Sequence, residues 1–197
     1  MFEKAIEKLK LKDHVLAKII NRVGPCTLEL GKEPFQSLVE AIIYQQLSIK
    51  AAGTIVRRFA DIYLNCSFPS PEDILSTEDE KLREVGISRQ KIRYLKDLSQ
   101  KFLDGIITPS KFSDMPDEEI IEQLTKVLGI GRWTAEMFLI FSLGRPNVLP
   151  INDLGFQKSV QQWYGFEHLP SEEEIRWIAK NWEPYCTVAT WYLWKSI

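Results

Sequence analysis

The sequence predicts an all-α fold, and three observations carry that expectation. Apolar residues recur three and four apart in "FQSLVEAIIYQQL", "KIRYLKDLSQKFL", "IIEQLTKVL" and "WTAEMFLIFSL", the period of helices that bury one face. Helix-start signals stand where such runs begin: Ser70 with Pro71 in "SPEDI", and Ser171 with Glu174 in "PSEEEIRWIAKNW" at capping-box spacing. Breakers at Gly24-Pro25, Pro69/Pro71, Pro109, Pro116, Gly144 to Pro150 and Pro170 divide the chain into nine or ten helices.

In chain order, "MFEKAIEKLKLKDH" is charged and amphipathic and lacks the apolar core and cleavage site of a secretory signal, so an intracellular protein is expected. "CTLEL" is the one segment that reads as a short strand. "FQSLVEAIIYQQL" reads as a helix through Leu47, and "SPEDI" opens a short helix at Pro71. Between Lys81 and Lys101 lie seven cations against Glu84 and Asp97, which is either a nucleic-acid face or an ordinary solvated helix face. The acidic runs "PEDILSTEDE", "DMPDEEIIEQ" and "PSEEEI" are explained by carboxylates opposing the macrodipole in first helical turns.

With 197 residues, 45% apolar and 26% charged, the chain is an ordinary globule that needs no staples and offers no apolar run of about 20 residues for a membrane span. Cys26, Cys66 and Cys186 are scattered and odd in number, which fits reduced thiols and excludes a CxxC metal or cluster site. Two histidines, His14 and His168, argue against a zinc or His-relay enzyme. The net charge of −2 weighs mildly against nucleic acid.

In "IIEQLTKVLGIGRWTAEMFLIF" one helix is expected to end near Leu128, the chain to turn through Gly129-Ile130-Gly131, and a second helix to begin near Arg132. Amides at such a corner lack intrahelical partners and converge on an anion, for which a DNA phosphate fits. An ordinary αα-hairpin with Ile130 in the core explains the same letters. Further on, "LPINDLGFQKSV" sets Asp153 at or beside a helix start. It is either an N-cap or a carboxylate kept ionised for electrostatic catalysis.

Five segments in this order, "GPC", "IIYQQLSIKAAGTI", "LGIGRWTAEMF", "NDLG" and "WEPYCTVATWYLW", together resemble the helix-hairpin-helix glycosylase superfamily, and within it the DNA-3-methyladenine glycosylase II group of alkylation-repair enzymes. The resemblance covers nearly the whole chain. It implies one domain, 1–197, of two lobes with a DNA-facing cleft between them. Lobe one is about 1–34 plus 135–197 and lobe two about 35–134, without the extra β-rich domain of larger members.

The activity so implied is hydrolytic excision of alkylated purines of the 3-methyladenine and 7-methylguanine type from double-stranded DNA by an intracellular monomer, cytoplasmic in a prokaryote or nuclear in a eukaryote, with no membrane partner. Because a stacked base cannot be reached, it must be flipped out and the gap filled. By the resemblance Gln46 is the plug, with Tyr44 and Ser48 nearby. Gly129, Ile130, Gly131, Arg132 and Thr134 meet the backbone, and replacing both glycines by alanine is expected to weaken binding without unfolding the protein.

The resemblance also implies that Trp133, Trp194 and Tyr44 line the base pocket, where aromatic faces attract cationic alkylpurines. Met137 stands where some members have tyrosine and leaves a softer wall. Each of the two tryptophans could equally be core. The resemblance implies that Asp153 is the catalytic carboxylate. No cofactor is needed for the chemistry. The hairpin is expected to hold Na+ or K+ on main-chain oxygens of Thr125, Val127 and Ile130, and the iron-sulfur loop of other branches is missing. Bifunctional relatives have lysine at the position of Trp133, so no lyase step is expected. Cys186 replaces an arginine common in the family. The rival readings are a non-catalytic DNA-binding or lesion-sensing protein, and a glycosylase for deaminated or oxidised bases.

Overall fold

The structure, a computed structural model, describes residues 2–31, 33–63 and 68–197. Cys66 therefore lies outside the described residues. Twelve α-helices are found among them: α1 (Glu3–Lys12), α2 (His14–Val23), α3 (Pro34–Tyr44), α4 (Ile49–Ala60), α5 (Pro71–Ser76), α6 (Asp79–Glu84), α7 (Arg89–Leu103), α8 (Asp117–Leu124), α9 (Arg132–Phe141), α10 (Leu154–Tyr164), α11 (Glu172–Ala179) and α12 (Cys186–Lys195). A 3₁₀ helix, Pro109–Asp114, precedes α8.

There are more helices than nine or ten because Asp13 splits the first amphipathic run and because α5 and α6 are separated without Gly or Pro. The expected strand is absent: residues 26–30 form no ladder, and an extended segment without a partner strand is not a sheet. No helix among the described residues is long and apolar enough to cross a membrane.

The chain forms two compact units, residues 1–31 with 139–197, and residues 32–138. In the second unit α3 packs on α4 and α7, and α5 and α6 pack on α7. Leu38, Val39, Ile42 and Ile43 of α3 and Ile92, Leu95 and Leu98 of α7 are fully buried. These residues are spaced three and four apart, as the sequence pattern requires, and emptying one of them to alanine would cost about 2–5 kcal/mol. Phe35 meets Phe102 edge-on at 4.8 Å. Ser70 caps α5 in a capping box with Asp73.

In the first unit α12 packs on α1, α2 and α10. Eight consecutive residues of α12, Cys186 to Leu193, are buried, which is why "CTVATWYLW" is apolar on every side. Asp13 caps α2, its Oδ1 accepting from the amides of Val15 and Leu16 at 2.9 and 3.0 Å. Its Oδ2 accepts from the Tyr164 hydroxyl at 2.6 Å and the Trp182 indole at 2.9 Å. Four donors thus satisfy a buried carboxylate that would otherwise be costly. Burial, with Asp13 beside it, pushes the Tyr164 phenol well up. The expected capping box of Ser171 with Glu174 starts α11.

Candidate functional site

Asp153 is the N-cap of α10. Its Oδ1 accepts from the Phe156 amide at 2.6 Å and from the Trp194 indole N–H at 2.8 Å. The carboxylate is half-buried at a helix amino terminus, fixed in place by two donors and facing the positive end of the α10 dipole. The segment leading to it is pinned by α12: the Val148 amide donates to Thr187 Oγ1 at 3.1 Å, and Thr187 Oγ1 donates to the Arg145 carbonyl at 2.5 Å. Gly155 leaves the carboxylate room, since a methyl there would stand 3.3 Å from Oδ1.

Trp194 was expected as a pocket wall or as core. It is half-buried, bonded to Asp153, and stacked on Phe141 at 5.9 Å with the rings inclined by 16°. Phe141 was missed by sequence reasoning, although it follows Trp133 and Met137 at four-residue intervals. Cys186 is buried, its thiol pushed up to about 12 by burial and by the Glu183 charge. Its amide donates to Asn147 Oδ1 at 3.4 Å, so this position braces the same segment through the main chain.

In the other unit, the helix before the corner ends at Leu124, four residues earlier than expected, and the next starts at Arg132 as expected. The corner is built from short-range bonds: Val127 N to the Leu124 carbonyl at 3.0 Å and Ile130 N to the Val127 carbonyl at 3.1 Å. The Leu128 amide donates to Asp97 Oδ2 at 2.8 Å, which ties the corner to α7.

Gly129 has φ +82, and a Cβ there would lie 2.2 Å from the Tyr94 ring, whereas a Cβ at Gly131 would meet nothing within 4 Å. The expectation that both glycines accept alanine with the fold intact is therefore corrected for Gly129. Ile130 and Thr134 are buried, so only their main chain can meet a ligand, and the Ile130 amide is already used within the turn. Arg132 is also committed: Nη1 bonds Glu118 Oε2 at 2.9 Å and Nε bonds Glu136 Oε1 at 3.0 Å. The Glu118 hydrogen bond, foremost, raises the guanidinium pKa.

Gln46 does not lie on a helix, because α3 stops at Tyr44, short of the expected Leu47. It is exposed in the turn before α4 and has φ +57, the one non-glycine residue with positive φ among those described. Backbone strain of this kind in a glutamine gathers at functional positions. Ser48 caps α4, accepting from the Ala51 amide at 3.3 Å. Tyr44 is 37% exposed and Trp133 48%, and Met137, half-buried, shares Trp133's face of α9 one turn on.

Of the cations from Lys81 to Lys101, Lys96 pairs with Asp79, Lys101 with Asp97 and Arg83 with Glu80. Lys91 points inward to carbonyls, its pKa lowered by burial. That stretch is thus largely engaged within its own unit, while Lys81, Arg89 and Arg93 are exposed.

The arrangement defines a class: all-helical, a glycine corner between two helices, and a helix-capping carboxylate about twenty residues beyond it. A family model described as HhH-GPD superfamily base excision DNA repair protein matches residues 39–184, and the chain belongs to that superfamily. DNA-3-methyladenine glycosylase 1 of Schizosaccharomyces pombe is 37% identical over 182 residues, 92% of this chain and 80% of that protein. The solved structure of 3-methyladenine DNA glycosylase (Mag1) from the same yeast in complex with abasic DNA has a TM-score of 0.85 at 36% identity, covering 98% of this chain and 95% of that one. DNA-3-methyladenine glycosidase from Bacillus halodurans gives a TM-score of 0.88 at 37% identity, covering 97% of this chain and 88% of that one.

Proposed function

We propose that this protein is a monofunctional DNA glycosylase that flips alkylated purines out of DNA and excises them hydrolytically in base excision repair. The observation that carries the reading is Asp153, a carboxylate fixed by Phe156 N–H and Trp194 N–H at the amino terminus of α10. An N-cap alone is served about as well by Ser or Asn, so the charge needs another reason. Family membership and the relatives' names support the same activity.

In the reaction the C1′–N bond of a cationic alkylpurine breaks with its electron pair going to the base, which leaves neutral and needs no protonation. An oxocarbenium-like sugar remains. Asp153 stabilises that charge through its field, water adds at C1′ and one of its two protons passes to solvent, leaving the hydroxyl of an abasic site. Trp133, Met137 and Tyr44 are the candidate residues that meet the base, and Gln46 is the plug left in the stack.

Gly129, Gly131 and the start of α9 grip a phosphate through the main chain; carbonyls of Thr125, Val127 and Ile130 would hold Na+ or K+, whose charge would draw the same phosphate. The Val127 carbonyl accepts one hydrogen bond, from Ile130 N, which leaves a lone pair for an ion. Trp133 offers no amine for Schiff-base chemistry, so the strand stays intact. Such an enzyme works as an intracellular monomer, wherever the cell keeps its DNA.

The test is incubation with duplex DNA methylated by a simple alkylating agent, followed by chromatography and mass spectrometry of the released bases. Free 3-methyladenine and 7-methylguanine are expected, with nicks only after alkali. Binding to abasic DNA without base release would favour the lesion sensor, and immediate nicking would overturn the monofunctional reading.

A further inference from the structure

The turn that carries Gln46 is held from outside itself. Helix α3 ends with carbonyls that have no partner in the helix. Lys91, from the first turn of α7, places its ammonium between two of the carbonyls at this end, 2.7 Å from Ile43 O and 2.8 Å from Gln45 O. A cation there also answers the negative end of the helix dipole. The Gln45 side chain reaches the other way, its Nε2 donating to the Gly129 carbonyl at 2.8 Å. Gly129 in turn sits on the Tyr94 ring of α7.

The turn before α4, the start of α7 and the glycine corner are thereby closed into a ring of contacts around one depression of about 310 Å³. Gln46, in the left-handed region at φ +57, stands on its rim. A glutamine keeps that conformation only where its surroundings impose it, and nothing within the turn does so beyond one 3.2 Å bond from Leu47 N to Tyr44 O.

We propose that Lys91 and Gln45 are positioning residues that hold the Gln46 plug in fixed register with the phosphate-gripping corner. Neither touches the reacting atoms. Lys91 fixes where the turn leaves α3, and Gln45 ties that turn to the corner, so that a phosphate gripped by the corner sets where Gln46 enters the stack. This rests on the reading of Gln46 as the plug.

The test is a cycle with Lys91→Met and Gln46→Ala, read by single-turnover excision of 7-methylguanine from a duplex and from the same lesion in a three-nucleotide bulge, where no pairing must be replaced. Lys91→Met should slow the duplex reaction about tenfold, the bulged reaction less than about twofold, and add nothing in the Gln46→Ala background. Lys91→Arg should restore the duplex rate to within about twofold. Equal losses on the two substrates, or a full further loss on top of Gln46→Ala, would overturn the proposal.

If Lys91→Met does not fold, Gln45→Ala carries the same comparison. A second readout is independent of excision: fluorescence of 2-aminopurine beside an uncleavable abasic analogue rises when the plug unstacks it, and should fall in Lys91→Met as far as in Gln46→Ala. A wild-type level in that variant would also overturn the proposal. Failure of the unmodified protein to release any alkylpurine would sink the proposed function alone, and the fluorescence would still decide the positioning.

Discussion

Replacing Asp153 by asparagine separates the charge of that side chain from its shape. The asparagine oxygen can take the same two donors, Phe156 N–H and Trp194 Nε1–H, and asparagine caps helices as well as aspartate. What is lost is the charge assistance in those bonds and the attraction to the α10 dipole, together about 1–3 kcal/mol of stability. The cost to catalysis is larger. A carboxylate about 4 Å from the sugar cation contributes roughly 4 kcal/mol at an effective dielectric of 20, or on the order of a thousandfold in rate.

The assay is single-turnover release of 7-methylguanine, with thermal unfolding and binding to an abasic analogue measured on the same preparation. The rate should fall about a thousandfold while binding stays within about tenfold. Asp153→Ala should be no slower than the asparagine variant by more than about tenfold, yet less stable by a further 1–3 kcal/mol or so, because it leaves the Phe156 and Trp194 donors unpaired. An asparagine variant that excises at near the wild-type rate, or that unfolds, would show Asp153 to be a cap and nothing more.

The two corner glycines should behave oppositely. Gly131→Ala should leave the melting temperature unchanged or raise it while weakening DNA binding regardless of sequence, whereas Gly129→Ala should cost more than about 1 kcal/mol because Tyr94 and a positive φ both oppose it; equal melting temperatures would refute the distinction. Gln46→Gly should raise stability by up to about 1 kcal/mol by relieving the left-handed backbone, and should slow excision from duplex DNA. A lower melting temperature would show that the turn is unstrained. With its thiol at about 12, Cys186 should carry about one thiolate in ten thousand at pH 8 and alkylate with iodoacetamide only as fast as the protein unfolds. Peptide mass spectrometry would detect the contrary, labelling at the rate of a free thiol.

What was legible in the sequence was local. Ser70 announces its helix through Pro71 beside it and Ser171 through Glu174 three positions on, and Asp153 is where "NDLG" puts it, because capping is settled within one turn. The end of α3 was not legible: "YQQL" continues a good helical pattern, and it is Lys91 and Gly129, 46 and 84 residues away from Gln45, that close the turn instead. For the same reason the bond from Trp194 to Asp153, the stacking on Phe141 and the Asp13 cluster with Tyr164 and Trp182 had no local signal. "CTLEL" alternates like a strand, but a strand is defined by its partner, and none is present among the described residues. Arg132 looked like a phosphate ligand because its position next to the glycines was visible, while its pairing with Glu118, 14 residues back in the chain, was not; Glu136, four residues on, was in view as a helical pair.

The pairing of Arg132 governs how such a protein would move along a chromosome. A corner that holds phosphate by peptide N–H groups, with its neighbouring guanidinium already neutralised by two carboxylates, displaces few counterions when it binds, so its grip should weaken only gently as ionic strength rises. With an overall charge of −2, the protein also lacks the long-range attraction that keeps basic proteins on undamaged duplex. A short residence on intact DNA is then expected, with search by many brief collisions, each ending unless a weakened base pair lets the nucleotide turn outward.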